Sequence, residues 1–222
     1  MKRLAEGVFM LSGFPPNAIN IYLLGDVLID AGTRQAERRI LRQIAGSPVS
    51  AHALTHAHPD HQGSSHAICE RLQIPLWCGR DDLDAVQTEG GVRNPNAPRW
   101  LNSVQARWWT GPAHPVDRAL AEGDELAGFT VLETPGHTIG HISLWREADR
   151  VLVLGDVLNN MNLLTGRPGL HEPPAMFTPD PARNRDSARR LAALRPELVC
   201  FGHGPPLRDP DALSEFAARL PR

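Results

Sequence analysis

The sequence predicts an α/β fold, and three observations predict it. Short apolar runs alternate with stretches of helical periodicity along the whole chain, as in layered folds built around one core. The 222 residues contain no second core-sized block, so one domain is expected. The 19 Gly and 20 Pro interrupt the runs often enough to demand many turns between short elements.

The elements follow in order. Gly7 to Leu11, Ala18 to Leu24 and Val27 to Asp30 read as strands, with turns at Pro15-Pro16-Asn17 and Gly25-Asp26. From Arg34 to Ala45, Ile40, Leu41 and Ile44 recur among charges at helical spacing, and Gly46-Ser47-Pro48 stops the helix. Val49 to Thr55 reads as a buried strand that runs into a histidine-rich loop. His66 to Leu72 is helical, Ile74 to Cys78 is a short strand, and Asp81 to Thr88 is compatible with a helix. Residues 89–116 hold Pro, Gly and three of the five Trp, and are expected to be too irregular for a core element. Phe129 to Glu133, Ile142 to Trp145 and Val151 to Leu154 read as strands. Arg183 to Leu194 is an amphipathic helix, Leu198 to Phe201 a strand, and Asp211 to Leu220 a closing helix.

Composition bounds the function. Hydrophobic residues make up 41% and charged residues 22%, which excludes a disordered or fibrous chain. The net charge of −2 leaves no basic surplus to neutralise a phosphate backbone, so no nucleic-acid partner is expected. No run of about 18 apolar residues occurs, so no membrane span is expected. Glu6, Gly7 and Ser12 interrupt the N-terminal stretch, which argues against a signal peptide and for a cytoplasmic protein. Cys69, Cys78 and Cys200 are odd in number and match no zinc or redox spacing, so they are expected to be free, half-buried thiols in a reducing compartment.

The chemistry is concentrated in Thr55-His56-Ala57-His58-Pro59-Asp60-His61. Residues two apart in extended backbone point the same way, so His56 and His58 can hold one ion while Asp60 and His61 turn toward a neighbouring position. Imidazole and carboxylate suit zinc and, to a lesser degree, iron or manganese. Three further candidates each follow a strand beside a glycine: His137 in Gly136-His137, Asp156 in Gly155-Asp156 and His203 in Gly202-His203-Gly204. Together these seven residues are as many ligands as two four- to five-coordinate ions need when one carboxylate is shared.

This combination resembles the metallo-β-lactamase-fold hydrolase superfamily in its glyoxalase II-like, dinuclear form, from the strand ending at Asp30 to the Gly-His-Gly at 202–204. The resemblance implies a four-layer αββα sandwich spanning residues 1–222 as a single domain, with two metals at one edge. It implies that His56, His58 and His137 bind the first ion, that Asp60, His61 and His203 bind the second, and that Asp156 spans both. It places Asp30 as a buttress rather than a ligand. Subfamily patterns narrow the activity. The lactamases proper lack a bridging Asp where Asp156 stands. Glyoxalase II enzymes carry a basic C-terminal helical region, and this chain ends soon after His203. Homoserine lactonases often use a pocket Tyr, whereas the only Tyr here is Tyr22. Flavo-diiron oxidoreductases have Glu where His58 stands, and persulfide dioxygenases hold one iron with three ligands.

The expected activity is hydrolysis of a small carboxylic ester, thioester or lactone by hydroxide generated on two divalent cations, with zinc the expected ion. Asp60 is expected to shuttle the proton. Phosphodiester cleavage, β-lactamase-like activity and a non-catalytic metal-binding role are the alternatives. Elsewhere, His52 is expected to be structural, and His66 to stand near the motif but outside it. His141 is placed either as support for a ligand or as an ordinary strand residue. His114 and His171 are loop residues available to a pocket. Trp100, Trp108 and Trp109 either pave a pocket or seal their loop, with Trp108 expected to seal. Met161, Leu163, Met176 and Phe177, in the loop after Asp156, are candidates for a pocket wall.

Overall fold

The structure is a computed structural model that describes residues 1–91, 96–163 and 165–221. Strands β1 (Lys2–Ala5), β2 (Val8–Met10), β3 (Tyr22–Leu24), β4 (Val27–Ile29), β5 (Ala51–Ala53), β6 (Leu76–Gly79) and β7 (Arg118–Leu120) form one sheet in chain order. β1 to β4 pair antiparallel through short turns. β4 to β7 pair parallel, and parallel neighbours need crossovers. Helices α1 (Glu37–Ile44), α2 (Pro59–Gln62), α3 (Ser65–Leu72) and α4 (Arg99–Trp108) lie in those crossovers.

The second sheet holds β8 (Glu125–Leu126), β9 (Phe129–Glu133), β10 (Ile142–Arg146), β11 (Val151–Gly155) and β14 (Leu198–Phe201), in the order β14-β11-β10-β9-β8. A separate hairpin pairs β12 (Asn159–Met161) with β13 (Pro168–His171). Helices α5 (Pro181–Ala193) and α6 (Pro210–Arg219) complete the chain.

Side-chain alternation stacks these sheets into the expected αββα sandwich. Phe129, Val131, Leu144, Val153 and Cys200 meet Val8, Tyr22, Leu24, Val27 and Ile29 between the sheets. Their neighbours Leu132, Trp145, Leu152, Val199 and Phe201 face the other way, onto Ala188 and Leu191 of α5 and Leu213 and Ala217 of α6. On the far side Leu23 and Leu28 pack with Ile40 and Ile44 of α1 and Ile68 of α3. Both faces of each sheet are covered, which is why these strands read as continuous apolar runs rather than as polar–apolar alternation. Among the described residues no helix is long and apolar enough to cross a membrane.

Three expectations need correction. The stretch 89–116, of which residues 92–95 lie outside the described residues, carries the ten-residue helix α4. Only Gln105 of α4 is buried, and its apolar residues Trp100, Val104 and Trp108 recur at helical spacing on an exposed face. Trp108 does not seal that segment, since it is 56% exposed, and Trp100 is 67% exposed. The segment after Asp156, of which residue 164 lies outside the described residues, is not all loop. It forms the β12–β13 hairpin, and His171 belongs to β13. Strand β1 also escaped the pattern, because Lys2 and Arg3 occupy an exposed edge.

Candidate metal centre

The sheets bring seven distant donors to one edge. β10 is antiparallel to both β9 and β11, and β14 is parallel to β11, so β9, β11 and β14 end at the same rim. His137 follows β9, Asp156 follows β11 and His203 follows β14. From the other sheet, β5 leads to His56 and His58. His58 is the extended residue before α2, and Pro59 at the first helical position turns the chain so that Asp60 and His61 follow on the helix.

The donors form three overlapping triads able to hold metal. One ligand atom from each of His56, His58 and His137 lies within 4.8 Å of the others. The same holds for Asp60, His61 and His203, and for His56, His61 and Asp156. Asp156 faces both ends of the cluster. Its Oδ2 is 3.5 Å from His137 Nε2 and 3.0 Å from His203 Nε2, and its Oδ1 is 3.7 Å from His61 Nε2. Asp60 Oδ2 stands 3.3 Å from His203 Nε2 and 3.8 Å from His61 Nε2.

Outer hydrogen bonds hold His56, His61, His137 and His203 by Nδ1. His56 Nδ1 contacts Thr55 Oγ1 at 3.0 Å, His61 Nδ1 contacts Asp30 Oδ2 at 2.9 Å, and His137 Nδ1 contacts Thr178 Oγ1 at 3.2 Å. His203 Nδ1 donates to the Ala18 carbonyl. With Nδ1 engaged outward, Nε2 is the nitrogen presented inward, the arrangement that fixes a metal-ligating tautomer. Asp30 therefore acts as the buttress foreseen from the sequence. It also accepts from the Thr55 amide at 2.9 Å and from the Thr55 hydroxyl.

Two supports could not be foreseen. Asp82 accepts from the Ala57 amide at 2.9 Å, the Thr138 hydroxyl at 2.7 Å and the Gly140 amide at 2.9 Å. It thereby ties the His56–His61 loop to the loop that carries His137. Tyr22 and Asn20 both donate to the Phe201 carbonyl, at 2.7 and 2.9 Å, and fix the approach to His203. Asp82 sits in Asp81-Asp82-Leu83-Asp84, where nothing marks one acid from the next. Glycine makes the closest approach possible: a Cβ on Gly202 would stand 1.9 Å from Asp156 Oδ1.

The remaining histidines divide cleanly. His52 is structural, held by Leu28 O at 3.0 Å and Ser65 Oγ at 2.8 Å. His141 supports a donor, because its Nε2 accepts the Asp156 amide at 3.0 Å. His66 and His114 pair with each other and contribute nothing to the seven.

Burial and charge set the electrostatics. Burial lowers His56, His58 and His137, so these imidazoles are neutral and have lone pairs to give. Burial also opposes charge on His61, but Asp156, Asp30 and Asp60 outweigh it and raise that imidazole to about 9. His203 is raised for the same reason, by Asp156 and Asp60. Burial would raise the carboxyls of Asp60 and Asp156, yet the positive His61 and His203 hold both well below the usual range. The two carboxylates thus favour positive charge at the imidazoles that face them.

A divalent cation fits this donor set. His56 Nε2, His137 Nε2 and Asp156 Oδ1 are buried without any hydrogen-bond partner. An unsatisfied buried polar atom costs about 1–3 kcal/mol, and three within one cluster of donors are unusual outside a site that binds something.

A family model for the metallo-beta-lactamase superfamily matches residues 14–203, a span that contains all seven donors. The chain belongs to the metallo-beta-lactamase superfamily. Within this superfamily it is 33% identical over 218 residues to the probable metallo-hydrolase YflN of Bacillus subtilis (strain 168), covering 87% of this chain and 82% of that protein. It is 28% identical over 157 residues to a hydroxyacylglutathione hydrolase of Bdellovibrio bacteriovorus, covering 69% of this chain and 48% of that enzyme. The solved structure of TTHA1623 in a di-iron-bound form matches with a TM-score of 0.68 at 31% identity, over 96% of this chain and 98% of that one. These relatives support a hydrolase, and the His/Asp clusters of this superfamily member are able to bind metal.

Proposed function

We propose that residues 1–222 form a single dinuclear metal-dependent hydrolase domain of the glyoxalase II-like subgroup, acting on a small carboxylic ester, thioester or lactone. The observation that carries this reading is that His56 Nε2, His137 Nε2 and Asp156 Oδ1 are buried without a hydrogen-bond partner among donors that group into the His56–His58–His137 and Asp60–His61–His203 triads. In this reading His56, His58 and His137 would hold one ion, Asp60, His61 and His203 would hold the other, and Asp156, which faces both ends of the cluster, would serve both. The donors are five imidazoles and two carboxylates with no thiolate, a set suited to zinc. Iron is the second reading, favoured by the di-iron-bound form of a structure 31% identical. Bound there, two divalent cations supply a water of lowered pKa and a Lewis acid for the carbonyl oxygen.

The protein's own groups do the rest. Asp30, Thr55, Thr178 and Ala18 orient the imidazoles. Asp156 offsets the repulsion between two cations with one negative charge. The Asp60 side chain is 16% exposed, against 0–6% for His61, Asp156 and His203, so it reaches the open side of the cluster. From there it would take a proton from the attacking water and hand it to the leaving group. The net charge of −2 favours a small acyl substrate over nucleic acid. The three cysteines are free and buried, which supports a reducing, cytoplasmic compartment.

The test is to assay the metal-loaded protein on a thioester, a lactone and a bis-phosphodiester. Turnover of the acyl substrates well above the phosphodiester is expected. Preference for the phosphodiester, or no turnover of any, would overturn the proposal.

A further inference from the structure

His66 and Glu70 lie one turn apart on α3, and residues four apart on a helix share a face. His114, from the segment after α4, closes over them. His66 Nδ1 and His114 Nδ1 are 3.1 Å apart, and the ring planes meet at 71°. One ligand atom from each of His66, Glu70 and His114 lies within 4.8 Å of the other two. None of these residues belongs to the seven-donor cluster.

We propose that His66, Glu70 and His114 form a further divalent-cation site, of the kind that takes zinc. Two imidazole nitrogens and a carboxylate oxygen are three zinc donors, and a water completes a tetrahedron. Nitrogens each about 2.0–2.1 Å from a tetrahedral zinc stand about 3.3 Å apart, close to the separation seen here. A single N–H···N hydrogen bond uses only the two rings. A cation uses all three groups, and the negative Glu70 offsets part of its charge. Glu70 is exposed, His66 half-buried and His114 buried, so an ion can enter from solvent on one side and be held from the other.

The ion would act as a clamp. The His114 amide donates to Val86 O at 3.3 Å, so this segment already leans on the helical turn Ala85–Glu89. A metal joining His114 to α3 fixes the same segment to the helix that directly follows Asp60 and His61. Two elements beside the main cluster are thereby tied together without supplying any of its ligands.

The test compares the wild-type protein with His66→Ala and Glu70→Gln. All three are loaded with excess zinc, desalted and counted by elemental analysis, and zinc affinity is measured by competition with a chromophoric chelator. His66→Ala should hold one zinc per chain fewer than wild type. Glu70→Gln, a change on an exposed helix face that leaves folding intact, should weaken one class of site by about tenfold or more. The difference between proteins carries the result, so failure of the paired site, which lowers all three totals alike, is recognised separately. Equal zinc content in wild type and His66→Ala, or unchanged affinities in Glu70→Gln, would overturn the proposal.

Discussion

His141 Nε2 accepts the backbone amide of Asp156 at 3.0 Å. An imidazole nitrogen that accepts carries no proton, so the proton of His141 is on Nδ1, 2.8 Å from Thr134 Oγ1. Thr134 then donates to Ser143 Oγ at 3.0 Å, and Ser143 donates to Leu154 O at 3.0 Å. The chain runs in one direction with every proton assigned, and its end fixes the backbone of the residue that faces both halves of the cluster.

His141→Leu keeps the bulk and removes the acceptor. It leaves the Asp156 amide buried without a partner, at a cost of about 1–3 kcal/mol. Loss of such outer support should lower metal affinity by about 10–100-fold. Chelator competition and urea unfolding measure the two effects. Unchanged metal affinity in a folded His141→Leu protein would show that this chain only fills space.

Asp60 and Asp156 should separate by their variants. Asp156→Ala removes the shared carboxylate and should lose metal and activity together. Asp60→Asn keeps one coordinating oxygen but loses the basic site. It should retain more metal yet turn over about 10²-fold or more slowly. The loss should shrink on a phenyl ester relative to an alkyl lactone, because a good leaving group needs less proton delivery. If Asp60→Asn slows both substrates equally, and only in proportion to its metal, Asp60 is a ligand and nothing more.

Metal affinity should depend on pH through His61. In the cation-free protein, burial is outweighed by Asp156, Asp30 and Asp60, and the imidazole is raised to about 9. It is therefore protonated below that pH and must lose its proton to bind a cation. Affinity should rise with pH, about tenfold per unit for each proton released, and this contribution should level off near pH 9. Competition titrations from pH 6 to 9 check this. A flat profile would contradict the pairing of His61 with the three carboxylates. Acid competes for every ligand imidazole, so hydrolysis should also fall below about pH 6.

His52 gives a stability test outside the cluster. Burial lowers it to about 4, below its unfolded value of 6.5, so between these values the unfolded chain binds the extra proton. Stability from this group is complete above pH 6.5 and is lost as pH falls toward 4, by on the order of 3 kcal/mol in all. His52→Gln should unfold with a shallower pH dependence over that window. Identical slopes in urea titrations would contradict a buried neutral His52.

Much of this was legible because it is local. His56, His58, Asp60 and His61 lie within six positions, and the strands before His137, Asp156 and His203 are strongly apolar on both faces. What stayed hidden depends on long-range placement. Asp82 looks like its neighbours Asp81 and Asp84 until folding sets it against Ala57, Thr138 and Gly140. Thr55, Thr134 and Thr178 are ordinary hydroxyls until an imidazole lies against them. Helix α4 was missed although Trp100, Val104 and Trp108 recur every fourth residue, because the Pro and Gly around it read as loop.

The seven donors are arranged for two ions. The metal content of the His66→Ala protein, which lacks the outer site, tests this after loading and desalting. Two ions per chain are predicted, falling in a His58→Ala or His203→Ala background together with turnover. One ion or fewer per chain, with no gain on added zinc or iron, would contradict the account.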